Sequence, residues 1–114
     1  MDIQFYRNRR GDCPVAEYIN SLKEEERLMI LNDEERLESV TLYELLKPRI
    51  VVKLKGVSNL YELRSRCFRI LFSIYSEFYL LLSMFRKKSN NTPKNEINKA
   101  LNFKKDYEKR NNIN

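Results

Sequence analysis

The sequence contains no histidine and no tryptophan, and its 114 residues include only two glycines and three prolines. Histidine is the side chain whose ordinary pKa lies near neutrality, so its absence excludes Ser-His-Asp triads, Cys-His dyads and two-histidine ribonuclease schemes. Any catalysis must use carboxylates, tyrosine, or lysine and arginine acting through their charge. The scarcity of glycine and proline makes long flexible linkers unexpected, and the length predicts a single domain over residues 1–114.

Metal sites and membrane segments are not expected either. The two cysteines, Cys13 and Cys67, cannot make an ordinary zinc site without histidine, and the carboxylates lack coordination spacing. The longest apolar stretch, residues 78–85, is far shorter than the roughly 20 residues that span a bilayer. The N-terminus has no apolar signal-peptide core. We therefore expect a cytoplasmic protein with no metal, no cofactor and no membrane contact.

Charge is unevenly distributed along the chain, although the net value is +6. Residues 12–46 carry ten acidic and three basic side chains, whereas residues 47–69 carry seven basic and one acidic. Residues 86–110 carry nine basic and three acidic side chains. Such segregation produces a field that attracts polyanions to one side of the molecule, which favours nucleic acid as a ligand over a plain solvated surface.

Hydrophobic spacing predicts an α+β fold with the element order β-α-α-β-β-β-α. A strand over residues 3–7 precedes a helix that Pro14 opens, and a second, acidic helix follows. The apolar positions predicted for that second helix are Leu28, Leu31, Leu37 and Val40. We expect a small, mostly antiparallel sheet with these two helices on one face.

The second half of the chain predicts strands followed by a helix. Strand candidates cover residues 50–55, 60–65 and 68–75, and residues 78–86 are apolar on both faces, as expected of a central strand. Thr92 is the expected N-cap of the last helix and Pro93 its first residue. A polar tail is expected to begin at about residue 108.

Strand alternation gathers cations on the sides that the core residues avoid. Glu62 and Arg64 share a face, Arg66 continues it if the strand extends, and Arg69 lies opposite the apolar face of its own strand. The remaining candidates are Lys53 and Lys55 in the preceding segment and Arg86, Lys87 and Lys88 after the central strand. The simplest assembly places all of them on one sheet face, with the acidic helices on the other.

A face of this kind suits RNA cleavage by attack of a 2′-hydroxyl. Guanidinium groups bind phosphate oxygens bidentately and stabilise a developing phosphorane. Glu62 or a lysine could be the base, and Tyr61, Tyr75 or Tyr79 could stack bases or assist proton transfer. The plainer alternatives are an ordinary Glu62–Arg64 ion pair, a core role for Tyr61, and surface positions for Arg69 and Lys87.

Six segments of the chain match the sequence pattern of a known family. They are residues 14–19, Lys53-Leu54-Lys55-Gly56, Leu60-Tyr61-Glu62-Leu63-Arg64, Arg69-Ile70, Phe85-Arg86-Lys87-Lys88 and Thr92-Pro93-Lys94-Asn95-Glu96-Ile97 with Ala100. In combination, these segments resemble the phage-derived HigB-like toxins of the RelE/ParE toxin–antitoxin superfamily. The resemblance covers about residues 12–100. Ser83 and Met84 replace a histidine-glycine-like pair that members often have, and a catalytic C-terminal histidine is missing.

The resemblance implies a RelE-like fold and an mRNA endonuclease, typically acting on the ribosome. It also implies a cognate antitoxin, usually a helix-turn-helix protein, with operator DNA contacted only through that antitoxin. The site residues that we expect are Glu62, Arg64, Arg69 and Lys87 for catalysis and Lys53, Lys55, Arg66, Arg86 and Lys88 for RNA binding. The expected reaction is metal-independent and leaves a 2′,3′-cyclic phosphate. A ParE-like gyrase inhibitor and a non-catalytic nucleic-acid-binding module are the alternatives.

Overall fold

The computed structural model describes residues 1–113, which form one five-stranded sheet with four helices. The elements are β1 (Asp2–Phe5), α1 (Pro14–Asn20), α2 (Glu24–Ser39), α3 (Leu42–Leu46), β2 (Val51–Lys53), β3 (Tyr61–Ser65), β4 (Phe68–Tyr75), β5 (Phe78–Arg86) and α4 (Lys94–Arg110). The α+β class is confirmed. All four strand candidates of the second half form strands, one more than the order β-α-α-β-β-β-α counted, and the short helix α3 was not predicted.

The strand order in the sheet is β1-β5-β4-β3-β2. All neighbours are antiparallel except β1 and β5, so the sheet is mostly antiparallel, as predicted. β5 lies between β1 and β4, and its two apolar faces suit this interior place because both are covered. A β-bulge between Leu71 and Phe72 shifts the register of the β4–β5 pair.

The sheet is covered on both faces. Helices α1 to α3 pack on one face, where Ile30 and Leu37 of α2 meet Phe68 and other strand residues. Helix α4 packs on the opposite face, where Ala100 lies against side chains such as Leu71 and Leu82. The acidic helices therefore lie on one side, as expected. Helix α4 covers part of the other face, which was predicted to carry the cations.

The predicted apolar face of α2 is wrong in part. Leu28 and Leu31 are 55% and 50% exposed, whereas the buried residues of α2 are Ile30, Glu34 and Leu37. At about 100° per residue, Leu28 and Leu37 lie on opposite sides of a helix, and Ile30, Glu34 and Leu37 lie together. The buried face of α2 therefore includes the carboxylate of Glu34.

The ends of α4 also differ from prediction. The N-cap is Pro93, with extended backbone angles (φ −62°, ψ 141°), and Thr92 lies before it. At the other end α4 continues to Arg110, past residue 108 where the polar tail was expected to begin. Asn114, at the end of that tail, lies outside the described residues. None of the helices described is both long and apolar enough to cross a membrane.

Candidate functional site

Two arginines and a glutamate form a compact group where β3 and β4 pair. We call Glu62, Arg64 and Arg69 the Arg–Glu cluster. Arg64 is directly opposite Arg69 in the antiparallel register, and Glu62 is two residues before Arg64 on the same face. The Oε1 atom of Glu62 lies 3.2 Å from Nε of Arg64 and 3.8 Å from Nε of Arg69. The carboxylate thereby offsets the repulsion of two cations that face each other across the strands.

Burial makes this cluster unlike a surface ion pair. Glu62 is 2% exposed and Arg69 is 9% exposed. The Nη1 group of Arg69 donates to the carbonyl oxygens of Arg66 (2.7 Å) and Phe68 (2.8 Å), which fixes the guanidinium in place. Burial lowers the pKa of Arg69, and the charge of Glu62 opposes that change. Arginine nevertheless stays protonated in proteins, so Arg69 carries a fixed positive charge.

Thr92 completes the environment of the glutamate. Its hydroxyl donates to Oε2 of Glu62 at 2.6 Å, so both carboxylate oxygens of Glu62 have partners. Thr92 was expected to cap α4 and was not among the predicted site residues. The only signal for this contact in the sequence is the place of Thr92 within the motif that resembles HigB-like toxins.

A groove borders the cluster on its solvent side. Its volume is about 380 Å³, and it is lined by residues that include Lys53, Lys55, Arg64, Asn90 and Asn91. The described hydrogen bonds of the Arg64 side chain use only Nε, which leaves its terminal nitrogens for a ligand. Lys53 and Lys55 are exposed. The groove therefore presents cations and amide groups together, which is the chemistry that binds phosphate oxygens.

Lys87 lies on the other side of the cluster. It lines a small pocket of about 10 Å³ together with Glu62, Arg69, Asn90 and Thr92. That volume matches a single water molecule. The Lys87 backbone N–H donates to the carbonyl of Cys67 at 2.6 Å, which fixes the chain where it leaves β5. The exposed Lys87 side chain is thus attached at a defined point beside the cluster.

The expectation that all cations share one face is wrong for Arg86. It pairs with Phe68, and its guanidinium lies 4.5 Å from the centre of that ring on the side of the helices. Its Nη2 atom is 3.3 Å from a carboxylate oxygen of Glu26 in α2. Arg86 therefore ties the sheet to an acidic helix.

Two further predicted cations stand apart from the cluster. Arg66 is not a continuation of β3, because it occupies the turn before β4 with φ 53°, and its side chain is exposed. Lys88 is exposed in the loop after β5. Neither residue lines the groove or the small pocket.

The tyrosines suggested for base stacking or proton transfer pack inside the protein. Tyr61 stacks on Phe72 with ring centres 5.6 Å apart, and Tyr79 is buried against the same ring. The Tyr75 hydroxyl donates to Glu108 in α4, and burial raises its pKa above the ordinary value. The predicted core role for Tyr61 is confirmed.

Other lining residues have no clear signal in the sequence. Arg49 reaches the groove from a turn before β2, where it adopts a left-handed backbone with φ 61°. Asn90 and Asn91 line both concavities from the loop between β5 and α4. Within residues 1–113, no group of three or more cysteine, aspartate or glutamate side chains could hold a metal ion.

Comparison with known proteins assigns the chain to a family. The family described as Phage derived protein Gp49-like (DUF891) matches residues 17–105, which include the whole Arg–Glu cluster and the groove. The chain belongs to this family. The Gp49-like match agrees with the phage-derived, RelE/toxin-like part of the resemblance and leaves its HigB-specific part to be tested. No curated protein gives a significant match.

A solved structure supports the fold. A chain in the crystal structure of the archaeal RelE–RelB complex from Pyrococcus horikoshii OT3 is similar with a TM-score of 0.52. The match has 19% sequence identity and covers 77% of this chain and all of that one. At this identity the likeness concerns the fold alone, and it confirms that the Gp49-like chain has a RelE-like fold.

Proposed function

We propose that this protein is the toxin of a type II toxin–antitoxin pair, of the HigB-like kind, and that it cleaves mRNA on the ribosome in the cytoplasm. The observation that carries the proposal is the Arg–Glu cluster. Two guanidinium groups share one carboxylate, so the cluster has a surplus positive charge that a phosphate would neutralise. The Gp49-like family and the RelE-like fold support the toxin assignment.

In the proposed reaction the RNA backbone occupies the groove. Arg64 binds the scissile phosphate through its terminal nitrogens and stabilises the phosphorane, because guanidinium groups fit phosphate oxygens bidentately. Arg69 supplies a second, fixed positive charge beneath the scissile phosphate. Lys53 and Lys55 hold the flanking phosphates along the groove, and Lys88 and Arg66 would contact RNA further out.

Proton transfer falls to Lys87 in this proposal. Both oxygens of Glu62 are already bonded and the residue is 2% exposed, so we assign Glu62 to positioning the arginines. Lys87 is exposed beside the cluster and could remove the 2′-hydroxyl proton through a water in the small pocket. The 2′-oxygen then attacks phosphorus and the bond between phosphorus and the 5′-oxygen breaks. The 5′-oxygen takes up a proton from water, Lys87 returns to water the proton that it removed, and the product carries a 2′,3′-cyclic phosphate.

A partner follows from the toxin assignment. The archaeal chain with the similar fold was crystallised as a RelE–RelB complex. We propose a cognate antitoxin for the Gp49-like chain as well, a helix-turn-helix protein through which operator DNA is contacted. A short neighbouring reading frame with a helix-turn-helix pattern would support this partner.

Controlled expression tests the function. Expression of the wild type should stop growth, reduce protein synthesis and produce mRNA fragments, whereas Arg64→Ala should restore growth because the phosphate loses its exposed ligand. Arg36→Ala on α2 is the matched control, since Arg36 is an exposed arginine that lines neither the groove nor the small pocket, and this variant should remain toxic. Intact translation and uncut mRNA during growth arrest would contradict the proposal.

One observation favours a non-catalytic alternative. Every proton-accepting oxygen of Glu62 is already engaged, which is compatible with a cluster that only binds. A ParE-like gyrase inhibitor would provoke the DNA-damage response while mRNA stays intact. A simple nucleic-acid-binding module would bind RNA with a steep salt dependence and leave it uncut.

A further inference from the structure

The solvent face of α4 carries one sign of charge. Six exposed residues lie along it, and we call them the α4 stripe: Lys94, Asn95, Asn98, Asn102, Lys105 and Lys109. They recur at helical spacing over a helix roughly 25 Å long. No carboxylate and no large apolar side chain belongs to the exposed positions between residues 94 and 110.

The three carboxylates of α4 are partly buried, and each has a partner. Asp106 accepts a hydrogen bond from the Tyr6 hydroxyl at 2.6 Å and lies 2.9 Å from Nη2 of Arg110. Glu108 accepts from the Tyr75 hydroxyl at 2.9 Å. The side chain of Glu96 lies 3.8 Å from Nζ of Lys99. The sequence of α4 contains both signs of charge, but its exposed positions carry only positive charge, while Asp106, whose side chain is 30% exposed, borders the surface.

A rigid basic loop adjoins the C-terminal end of the stripe. The Asn8 side chain accepts hydrogen bonds from the backbone N–H groups of Arg10 (3.0 Å) and Asp12 (2.9 Å), which fixes the turn. Arg9 and Arg10 are exposed on this turn, and Arg10 also pairs with Asp12 at 3.2 Å. Loop and helix enclose a concavity of about 270 Å³ that Arg9, Arg10 and Asp106 line.

From these juxtaposed features, we propose that the α4 stripe and the Arg9–Arg10 turn form a second RNA-docking surface, separate from the groove, that contacts the phosphate backbone of folded RNA. The inference rests on the proposed function in its choice of RNA as the polyanion. Lysines supply phosphate charges, and asparagine amides can bond to phosphate, sugar or base edges. The lack of exposed apolar side chains on α4 argues against a membrane, since interfacial helices need an apolar face.

The second surface and the groove can act on one RNA-containing particle. The N-terminal turn of α4 borders the groove, since Ile97 and Thr92 line it, whereas the Arg9–Arg10 turn adjoins the other end of the helix. Folded RNA bound along α4 would place a single strand at the groove. Docking and cleavage would then depend on different residues.

Binding of a 2′-O-methyl RNA hairpin of about 16 base pairs tests the proposal, because such a probe cannot react by 2′-hydroxyl attack. The affinity of the full chain is measured at several salt concentrations. Lys105→Glu with Lys109→Glu should weaken binding and reduce the slope of log affinity against log salt by about two, one for each lost phosphate contact. Arg9→Gln should reduce that slope by about one.

The matched control is Arg36→Glu with Lys47→Glu, which makes the same change in net charge at two exposed positions outside the stripe. The control should bind the hairpin nearly as the wild type does. Equal losses in both double variants would show a net-charge effect and overturn the proposal, as would unchanged binding by the stripe variant. A wild type that binds the hairpin but cuts no mRNA would refute the proposed function and leave this surface supported.

Discussion

At the scale of single residues, Glu62 is the side chain that holds the Arg–Glu cluster together. It is the acidic partner of Arg64 and Arg69, and it is itself held by the hydroxyl of Thr92. A buried charge of this kind is stable only while its partners remain. The negative charge of Glu62 therefore decides whether the two arginine side chains can stay next to each other.

Replacement of Glu62 tests this dependence. Glu62→Gln keeps the shape but leaves two facing cations without a counter-charge, so the free energy of unfolding should fall by about 3 kcal/mol in urea titration. Phosphate should restore more stability to this variant than to the wild type, because it supplies the missing negative charge. Glu77→Gln, in the exposed turn between β4 and β5, is the control and should change little. Equal effects of phosphate on all three proteins would count against an anion site at the cluster.

Strand alternation alone predicted part of this cluster. It placed Glu62 and Arg64 on one face and Arg69 opposite the apolar face of its strand, and the register confirms both. It could not predict Thr92, because that contact joins a loop to a strand 30 residues earlier. Contacts between distant loops have no periodic signal in a sequence.

At the scale of elements, α2 shows what helical pattern can and cannot establish. The helix itself was predicted, but counting leucines led to Leu28 and Leu31 as core residues, and both are exposed. The true inner face includes Glu34, which an apolar pattern does not select. A carboxylate enters that face because the neighbouring Ile30 and Leu37 direct the helix inward.

The burial of Glu34 gives α2 a measurable pH dependence. Burial raises the pKa of Glu34 to about 7, and the charge of Glu38 adds to the rise. Since the folded pKa exceeds the unfolded value of 4.5, the protonated form favours folding. This contribution is complete below pH 4.5 and is lost as pH rises through about 7.

Glu34→Gln should remove this part of the pH dependence. Between pH 5 and pH 8 the wild type should lose on the order of 2 kcal/mol of stability relative to the variant, as measured by urea unfolding at each pH. Glu35→Gln changes the exposed neighbour and should retain the pH profile of the wild type. Parallel profiles for the wild type and Glu34→Gln would mean that Glu34 keeps an ordinary pKa.

The β4–β5 pair explains the misplacement of Arg86. The bulge between Leu71 and Phe72 makes Leu81 and Met84, which are three residues apart, face the same core. Strict alternation fails across such a bulge. Arg86 consequently lies on the same sheet face as Met84, where it reaches Glu26. Its position therefore depends on the single bulge in the β4–β5 pair.

At the scale of the whole molecule, charge is sorted by layer. The acidic residues 12–46 include α1 to α3 on one face of the sheet, whereas the groove and the exposed side of α4 carry lysine and arginine. Counting charges along the chain predicted this polarity. It did not predict that the basic residues divide between a groove at β3 and a separate stripe on α4, because the division depends on where α4 packs.

Cleavage of a defined mRNA on ribosomes by the purified protein is the most direct measurement. The substrate is prepared twice, once as ribose throughout and once with a single 2′-deoxy nucleotide at the mapped cleavage position. Attack by the 2′-hydroxyl predicts a 2′,3′-cyclic phosphate end from the first substrate, also with a metal chelator present, and no cut at that position in the second. Cleavage at the 2′-deoxy position, or no cleavage of either substrate, would contradict attack by the 2′-hydroxyl.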